Sequence, residues 1–330
     1  MATGINPTDA EPSNTKAPHK KGKKKKAPAE STGVTISQEI VPVSQDIDFP
    51  DPAKRVTPLF NLAAVVEAIK QKQGSQAIAD FRGGHIQWPA FPFMLSALDR
   101  ATLINGVPRG RIVEIFGEEH VGKTTLCMRL AAAVQSQGIP VLWQDYEHAL
   151  DVNFAQRMGV SFHEQFMAFC QPESLEEGCA LIEMALQGGF PGLIVVDSVP
   201  AMQPTEILSA AIDDTDRIAA KANALSRALV RIIRPLAATW ATIVYVNQLR
   251  TKIGAMVSKF TPEFEKYTTT GGLALKFYAS MRLHMKLKHT ESWEKKHQRS
   301  HILVTTIKNK LGCPYQECEL VLYPGQGFAG

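Results

Sequence analysis

Cysteine is scarce: Cys127, Cys170, Cys179, Cys313 and Cys318 are the only five in 330 residues. An odd, scattered set in a chain of this size gives no disulfide framework, so the thiols are expected to be reduced. Four residues separate Cys313 from Cys318, and no second Cys or His pair stands near them at zinc spacing, which removes a zinc-ribbon reading. Long apolar runs are also missing, with nothing near the ~18–20 residues that cross a bilayer. The N-terminus is polar and lysine-rich and offers no apolar core for a secretory signal. The expectation is a cytoplasmic protein with no membrane partner. Net positive charge is absent from the body of the chain. The formal charge is +4, but six lysines lie in "KKGKKKK", Lys20 to Lys26, and removing them leaves about −2. Any grip on nucleic acid by the folded part must therefore come from a local stripe or loop.

What is present begins with a segment, residues 1–56, rich in Pro, Lys, Ser, Thr and Gly and without periodicity. Such a composition cannot offset its ordering entropy by burial, and a disordered basic tail is expected. Its lysine run reads either as a nucleic-acid contact or nuclear-type signal, or as a solvated arm. From Thr57, "TPLFNLAAVVEAIKQKQG" carries a Thr-Pro start, helical apolar spacing and a Gly stop, which predicts a helix of about four turns. "SQAIADF" follows as a possible short strand, so residues 57–90 form a small N-terminal helix-strand element. Beyond it, from 91 to 330, "GRIVEIFG", "IPVLWQDY", "FMAFC", "GLIVVDSV" and "ATIVYVNQ" read as buried strands. Helical stretches lie around 123–137, 174–187 and 215–236. Continuous apolar strands alternating with helices predict an α/β fold with a mostly parallel sheet covered on both faces. "MRLHMKLK", "SHILVTTIKNK" and "QECELVLY" are expected as later, antiparallel additions, and no internal repeat is visible.

The stretch "FGEEHVGKTT" fits G-x-x-x-x-G-K-T at Gly117, Gly122, Lys123 and Thr124, between a predicted strand and a predicted helix, the context this motif requires. The glycines let the loop curl so that backbone N–H groups from Gly117 through Glu118, Glu119, His120, Val121 and Gly122 to Thr125 face phosphate oxygens at a helix N-terminus. Lys123 would neutralise β/γ charge and Thr124 would hold magnesium, while His120 and Thr125 have no chemical role beyond the loop. "GLIVVDSV" delivers Asp197 at a strand end, suited to magnesium. "WQDYEHALD" offers Asp145, Glu147, His148 and Asp151 just past another strand. Glu147 is the expected general base, with an acidic helix start as the competing reading.

Six motifs, "EIFGEEHVGKTT", "DYEHALD", "LIVVDSV", "VNQLRTKIG", "TTTGGLALKFYAS" and "IKNK", stand in one order and spacing. In this the chain from about residue 57 to the end resembles the RecA family of recombination ATPases, of bacterial or phage type. The resemblance implies a RecA-like P-loop ATPase core with ATP and Mg2+ as cofactors. It implies Glu147 as the catalytic glutamate, Asp151 and Phe154 at the adenine, and Gln248 as sensor of the γ-phosphate at the start of a DNA-binding loop. That loop, Leu249 to about Thr270, carries Arg250, Lys252, Lys259 and Lys266 among Phe260, Phe264 and Tyr267, a mixture suited to phosphate contact and base stacking; a flexible surface loop is the alternative. Gly271 and Gly272 would admit a phosphodiester close to the backbone. The family's other DNA loop corresponds to about Pro204–Ile218, followed by a helix whose Lys221 and Arg227 are either phosphate contacts or part of a solvated face.

The resemblance further implies that Lys308 and Lys310 reach the ATP of a neighbouring subunit, much as an arginine finger does. The N-terminal helix and strand would build a head-to-tail interface that extends into a filament. Single-stranded DNA, homologous duplex, a second copy of the chain, and repressor and loader proteins are the implied partners, within recombination, repair and the SOS response to DNA damage. Three departures stand out: a longer segment between "KIG" and "TTTGG", Leu273 where asparagine is expected, and Lys221 where arginine is expected. The family's small C-terminal domain and acidic tail are expected to be absent. A RecA-fold motor or regulator without strand exchange, and a protein that coats single strands without exchanging them, remain open alternatives.

Overall fold

A computed structural model of the protein describes residues 62–73, 88–209, 214–251, 267–293 and 297–329. The chain divides into two units, Met1–Asp80 and Phe81–Gly330. In the first, the described part is helix α1, Leu62–Gln73, with Lys70 and Lys72 in its last turn. The lysine-rich tail, "SQAIADF" and the Lys252–Lys266 stretch lie outside the described residues.

The second unit is built on a ten-stranded sheet. Its centre consists of β3 (Ile112–Gly117), β4 (Val141–Asp145), β5 (Met167–Cys170), β6 (Leu193–Asp197) and β7 (Thr242–Thr251). The order along this central part is β3-β7-β6-β4-β5. The pairs β3–β7, β7–β6, β6–β4 and β4–β5 are parallel. Every residue of β3, β4 and β6 is buried, which is why these strands read as unbroken apolar runs rather than alternating ones. A short pair, β1 (Ala90–Phe91) with β2 (Val107–Pro108), flanks the sheet.

The antiparallel half contains β9 (Met281–Trp293), β10 (His297–Asn309), β11 (Glu317–Tyr323) and β12 (Gly327–Phe328). The sequence reading of the later strands as antiparallel holds for β10 and β11 but not wholly for β9, and β12 is a strand it did not mark. β9 is antiparallel to β10 yet parallel to β3. The reason is that helix α8 (Ala274–Tyr278) carries the chain across before β9 enters the sheet, and a crossover of this kind delivers a parallel strand.

Helices α2 (Ser96–Ala101), α3 (Lys123–Gln135), α4 (Val152–Arg157), α5 (Leu175–Gln187), α6 (Thr205–Ser209) and α7 (Asp214–Thr239) complete the described elements. Two apolar cores form, one on each face of the sheet. Val113, Ile115, Leu126, Leu130, Val195 and Val244 belong to one, and Ile112, Ile182, Ile194, Leu229, Ile243 and Tyr245 to the other. Alternate residues of the same strands enter opposite cores, as the pleat dictates. Local signals fix the helix starts. Ser174 Oγ accepts from Glu177 N at 3.1 Å, and the Glu177 carboxylate reaches back to Glu173 N at 2.7 Å, the reciprocal cap that an S-x-x-E sequence provides. Among the described residues no helix is long and apolar enough to cross a membrane.

Candidate active site

Strand order brings the predicted chemistry together. Gly117 is in register with Gln248 across β3 and β7, and Asp145 with Asp197 across β4 and β6. With β6 beside β7, four neighbouring strands deliver these residues at their carboxyl ends, where ligands bind in open parallel sheets. A cavity of about 640 Å³ lies there, lined by Gly122, Lys123, Thr124, Glu147, Asp197 and Gln248 among others. Glu119, His120, Thr125 and Phe154 also face it.

The loop from β3 into α3 has the shape the glycine spacing demands. Gly122 caps α3 with φ 82°, a left-handed conformation that costs an L side chain and not glycine. A Cβ there would also meet Leu322 Cδ2 at 2.9 Å and Phe328 Cζ at 3.0 Å, because β11 and β12 pack over the loop. Lys123 is buried, and its Nζ donates to Glu118 O at 2.5 Å and Gly117 O at 3.3 Å. Burial pulls its pKa down, opposed by the carboxylates of Asp197, Glu147 and Glu119. Thr124 Oγ1 donates to Asp197 Oδ2 at 2.6 Å. Burial pushes Asp197 up to about 6; the Thr124 hydrogen bond opposes that rise, while Glu147 and Asp145 add to it.

Those observations test the fit of a magnesium nucleotide. A hydroxyl and a carboxylate already in contact offer the oxygen donors a partly hydrated Mg2+ takes. An ammonium resting on loop carbonyls is available to phosphate oxygens. The carboxylates crowding Asp197 are a charge excess that a dication balances. The residues present fit the group.

Glu147 stands on a turn organised by buried Asp145, whose two carboxylate oxygens accept from Glu147 N and Leu150 N, each at 3.2 Å. Ser198 Oγ donates to Glu147 Oε1, tethering the predicted base to the strand end that carries Asp197. Asp151 does not line the cavity. One of its oxygens caps α4 by accepting from Phe154 N at 2.9 Å, and so holds Phe154, which does line it.

The opposite wall escaped sequence reasoning. Ser300, Leu322, Tyr323, Pro324 and Gly325, from β10 and the β11–β12 turn, complete the cavity. The turn itself is legible in "LYPGQGF", but nothing local says that it folds over a loop two hundred residues earlier. Ser198 was equally unmarked.

At the exit of β7, Asn247 ties several elements together. Its Nδ2 donates to Glu114 Oε1 at 2.8 Å and Thr270 O at 2.9 Å, and its Oδ1 accepts from Gln248 N at 2.9 Å. Glu114, fully buried, also pairs with Arg282 at 2.5 Å. β7 runs on to pair with β8 (Tyr267–Thr269), Leu249 opposite Thr269 and Arg250 opposite Thr268, so both ends of the predicted DNA loop are held next to Gln248. Arg250 and Arg227 are exposed. Lys221 is not: its Nζ donates to Pro200 O at 2.7 Å and Val199 O at 3.4 Å, and burial lowers its pKa to about 8 with help from Arg250. Its ammonium serves the loop leaving β6, and its burial does not match the solvated-face reading. Gly271 and Gly272, at φ 93° and 74°, have a packing reason for being glycine. A Cβ would meet Leu225 Cδ2 at 2.9 Å from Gly271 and Ala222 Cβ at 2.8 Å from Gly272.

Lys308 and Lys310 lie away from the cavity lining. Lys308 Nζ donates to Lys276 O at 2.6 Å and Phe277 O at 3.1 Å, and Lys310 Nζ to Phe277 O at 3.0 Å. Two cations thus sit on the carbonyl end of α8. Burial first, then repulsion from Lys310 and Arg282, lowers Lys308 to about 8.

The RecA N-terminal domain family model matches residues 61–329. The chain is 35% identical over 269 residues to Protein RecA of Solidesulfovibrio magneticus, covering 81% of this chain and 74% of that protein. It is 36% identical over 270 residues to Protein RecA of Chloroflexus aggregans, again 81% and 74%. Against Protein RecA of Borrelia hermsii the identity is 39% over 234 residues, 70% of this chain and 63% of that one.

Proposed function

The chain belongs to the RecA family, and from that premise we propose that it is an ATP-dependent recombinase that polymerises on single-stranded DNA and exchanges strands with homologous duplex. The observation that carries the reading is the position of Gln248. It lines the nucleotide cavity and opens the β7–β8 hairpin whose two ends Asn247 clamps. A side chain touching a γ-phosphate at that point can bias the loop beyond it, so that nucleotide state sets DNA affinity.

In this reading Lys123 turns from the Gly117 and Glu118 carbonyls to the β/γ-phosphates, and the loop amides follow them. Thr124 and Asp197 would hold Mg2+, which when bound neutralises charge developing on the phosphates. Glu147, tethered through Ser198, takes a proton from the attacking water. Phe154 and Tyr323 supply apolar surface for the base. Lys308 and Lys310 act on the ATP of the next copy in a filament, which makes hydrolysis depend on assembly and hence on DNA. Watson–Crick pairing selects sequence in this scheme, and the protein grips backbone, so DNA binding should weaken steeply with salt.

The test is strand exchange and ATP hydrolysis by the full chain with and without single-stranded DNA, wild type beside Lys123→Ala. DNA-stimulated hydrolysis with ATP-dependent joint molecules supports the reading. Hydrolysis indifferent to DNA, with no exchanged product, assigns the chain to the motor or coating classes instead.

A further inference from the structure

At the outer part of the β9–β10 hairpin, next in sequence to Ser300 of the cavity wall, four side chains from three strands meet. His289 and His301 face each other across β9 and β10 in register. Their rings stack at 4.1 Å with planes 13° apart. Glu291 Oε1 lies 3.3 Å from Nε2 of both histidines. The ligand atoms of the three residues all fall within 4.8 Å of one another. Zinc bonds of about 2.0–2.1 Å in a tetrahedron place neighbouring donor atoms about 3.3 Å apart, the separation both histidines already keep from Glu291.

The surroundings are those of a ligand set as well. On the other side of the His301 ring, Nδ1 contacts Glu319 Oε1 at 2.5 Å, while Glu319 Oε2 is held by Lys288 Nζ at 2.6 Å. A carboxylate on one ring nitrogen fixes the tautomer and leaves the other nitrogen's lone pair for a metal. That other nitrogen, Nε2 of largely buried His301, makes no well-aligned hydrogen bond and has Glu291 Oε1 at 3.3 Å. Glu291 Oε2 is engaged by Arg299 Nη2 at 2.6 Å, which leaves Oε1 directed at the two imidazoles. Stacked rings do not converge their lone pairs, so binding requires the half-exposed His289 ring to tilt out of the stack.

We propose that His289, His301 and Glu291 form a binding site for a first-row transition dication such as Zn2+, with Glu319 orienting His301 and water completing the coordination. Two imidazoles and one carboxylate favour that class over Mg2+, which prefers oxygen donors. Its ligands are distinct from the residues that would hold magnesium, Thr124 and Asp197, although Ser300 of that cavity's wall precedes His301.

The experiment is titration of tag-free full-length protein, in a Cys313→Ser background, with Co2+ followed by its visible d–d absorption, and then displacement by Zn2+. The expected result is an intense tetrahedral band at one equivalent, abolished by Zn2+. His289→Ala and Glu291→Gln should each weaken Co2+ by more than about 10²-fold, and Glu319→Gln by about 10–100-fold. His163→Ala, an exposed histidine elsewhere, should change nothing. Circular dichroism of each variant separates lost metal from lost fold. No tetrahedral band, or a band that survives His289→Ala and Glu291→Gln, overturns the proposal.

Discussion

Two lysine sites in this molecule invite comparison. Lys123 is enclosed: its ammonium lies within the cavity lined by Thr124, Glu147, Asp197 and Gln248, with Asp197 and Glu147 nearby. Lys308 and Lys310 are half-open, resting on the carbonyl end of α8 beside exposed Phe277 and Leu273, at 68% and 66% accessibility. The first arrangement gathers within one chain the groups that would hold a nucleotide. The second presents positive charge next to apolar surface, which is what a contact needs when another copy of the chain is to supply the anion. Binding and turnover would then be properties of different assemblies.

The sharpest way to break that comparison is Lys308→Ala. DNA-stimulated hydrolysis is expected to fall about 10³-fold or more, the range of a residue acting in trans, while fluorescent-nucleotide affinity of the isolated chain stays unchanged. Mixing Lys308→Ala with Lys123→Ala should restore part of the activity, because some interfaces then pair an intact cavity with intact lysines. Loss of affinity in Lys308→Ala alone would place Lys308 in its own chain's cavity. Next in size, Glu147→Gln should slow hydrolysis by about 10²–10⁴-fold with affinity retained, read by single-turnover kinetics.

Proton titration distinguishes the sites too. Lys308 is lowered to about 8 in the isolated chain, and a neighbour's phosphates would raise it, so hydrolysis by the assembled protein should decline above that value, by about tenfold per unit, if the charge is required. Lys308→Arg, charged throughout, should flatten the profile. The smallest effect is on stability. Asp197 is raised from 3.8 to about 6, so the native state binds its proton more tightly than the unfolded chain. Stability therefore falls as pH rises from about 4 to 6 and stays lowered above. Asp197→Asn should raise the urea-unfolding free energy of the nucleotide-free chain at pH 7 by about 1–3 kcal/mol, with a smaller gain at pH 5. Nucleotide binding that depends on Mg2+ should be lost in the same variant.

Much of this was readable along the chain. The β3–α3 loop was legible because left-handed backbone at Gly122 and a phosphate cradle both demand glycine, and few other constraints produce that spacing. The central strands were legible because burial on two faces writes four or five apolar residues in a row. Lys221 was left open in sequence between a phosphate contact and a solvated face, and tertiary packing brings it under the carbonyls of Val199 and Pro200. Gly271 and Gly272 were read in sequence only as room for a phosphodiester, and the approach of α7 adds a packing reason. Tyr323, Pro324 and Gly325 carried no mark of the cavity they close.

The amino-acid order by itself determined the phosphate loop, the parallel core and the family resemblance, since each rests on contacts between near neighbours or on strand-length runs of one residue class. Only the tertiary structure decided the second wall of the cavity, the clamp of Asn247 on both ends of the β7–β8 hairpin, and the meeting of His289, Glu291, His301 and Glu319. Those depend on which strands lie side by side and in what register, a choice made by burying two cores at once, and no stretch of chain records it alone.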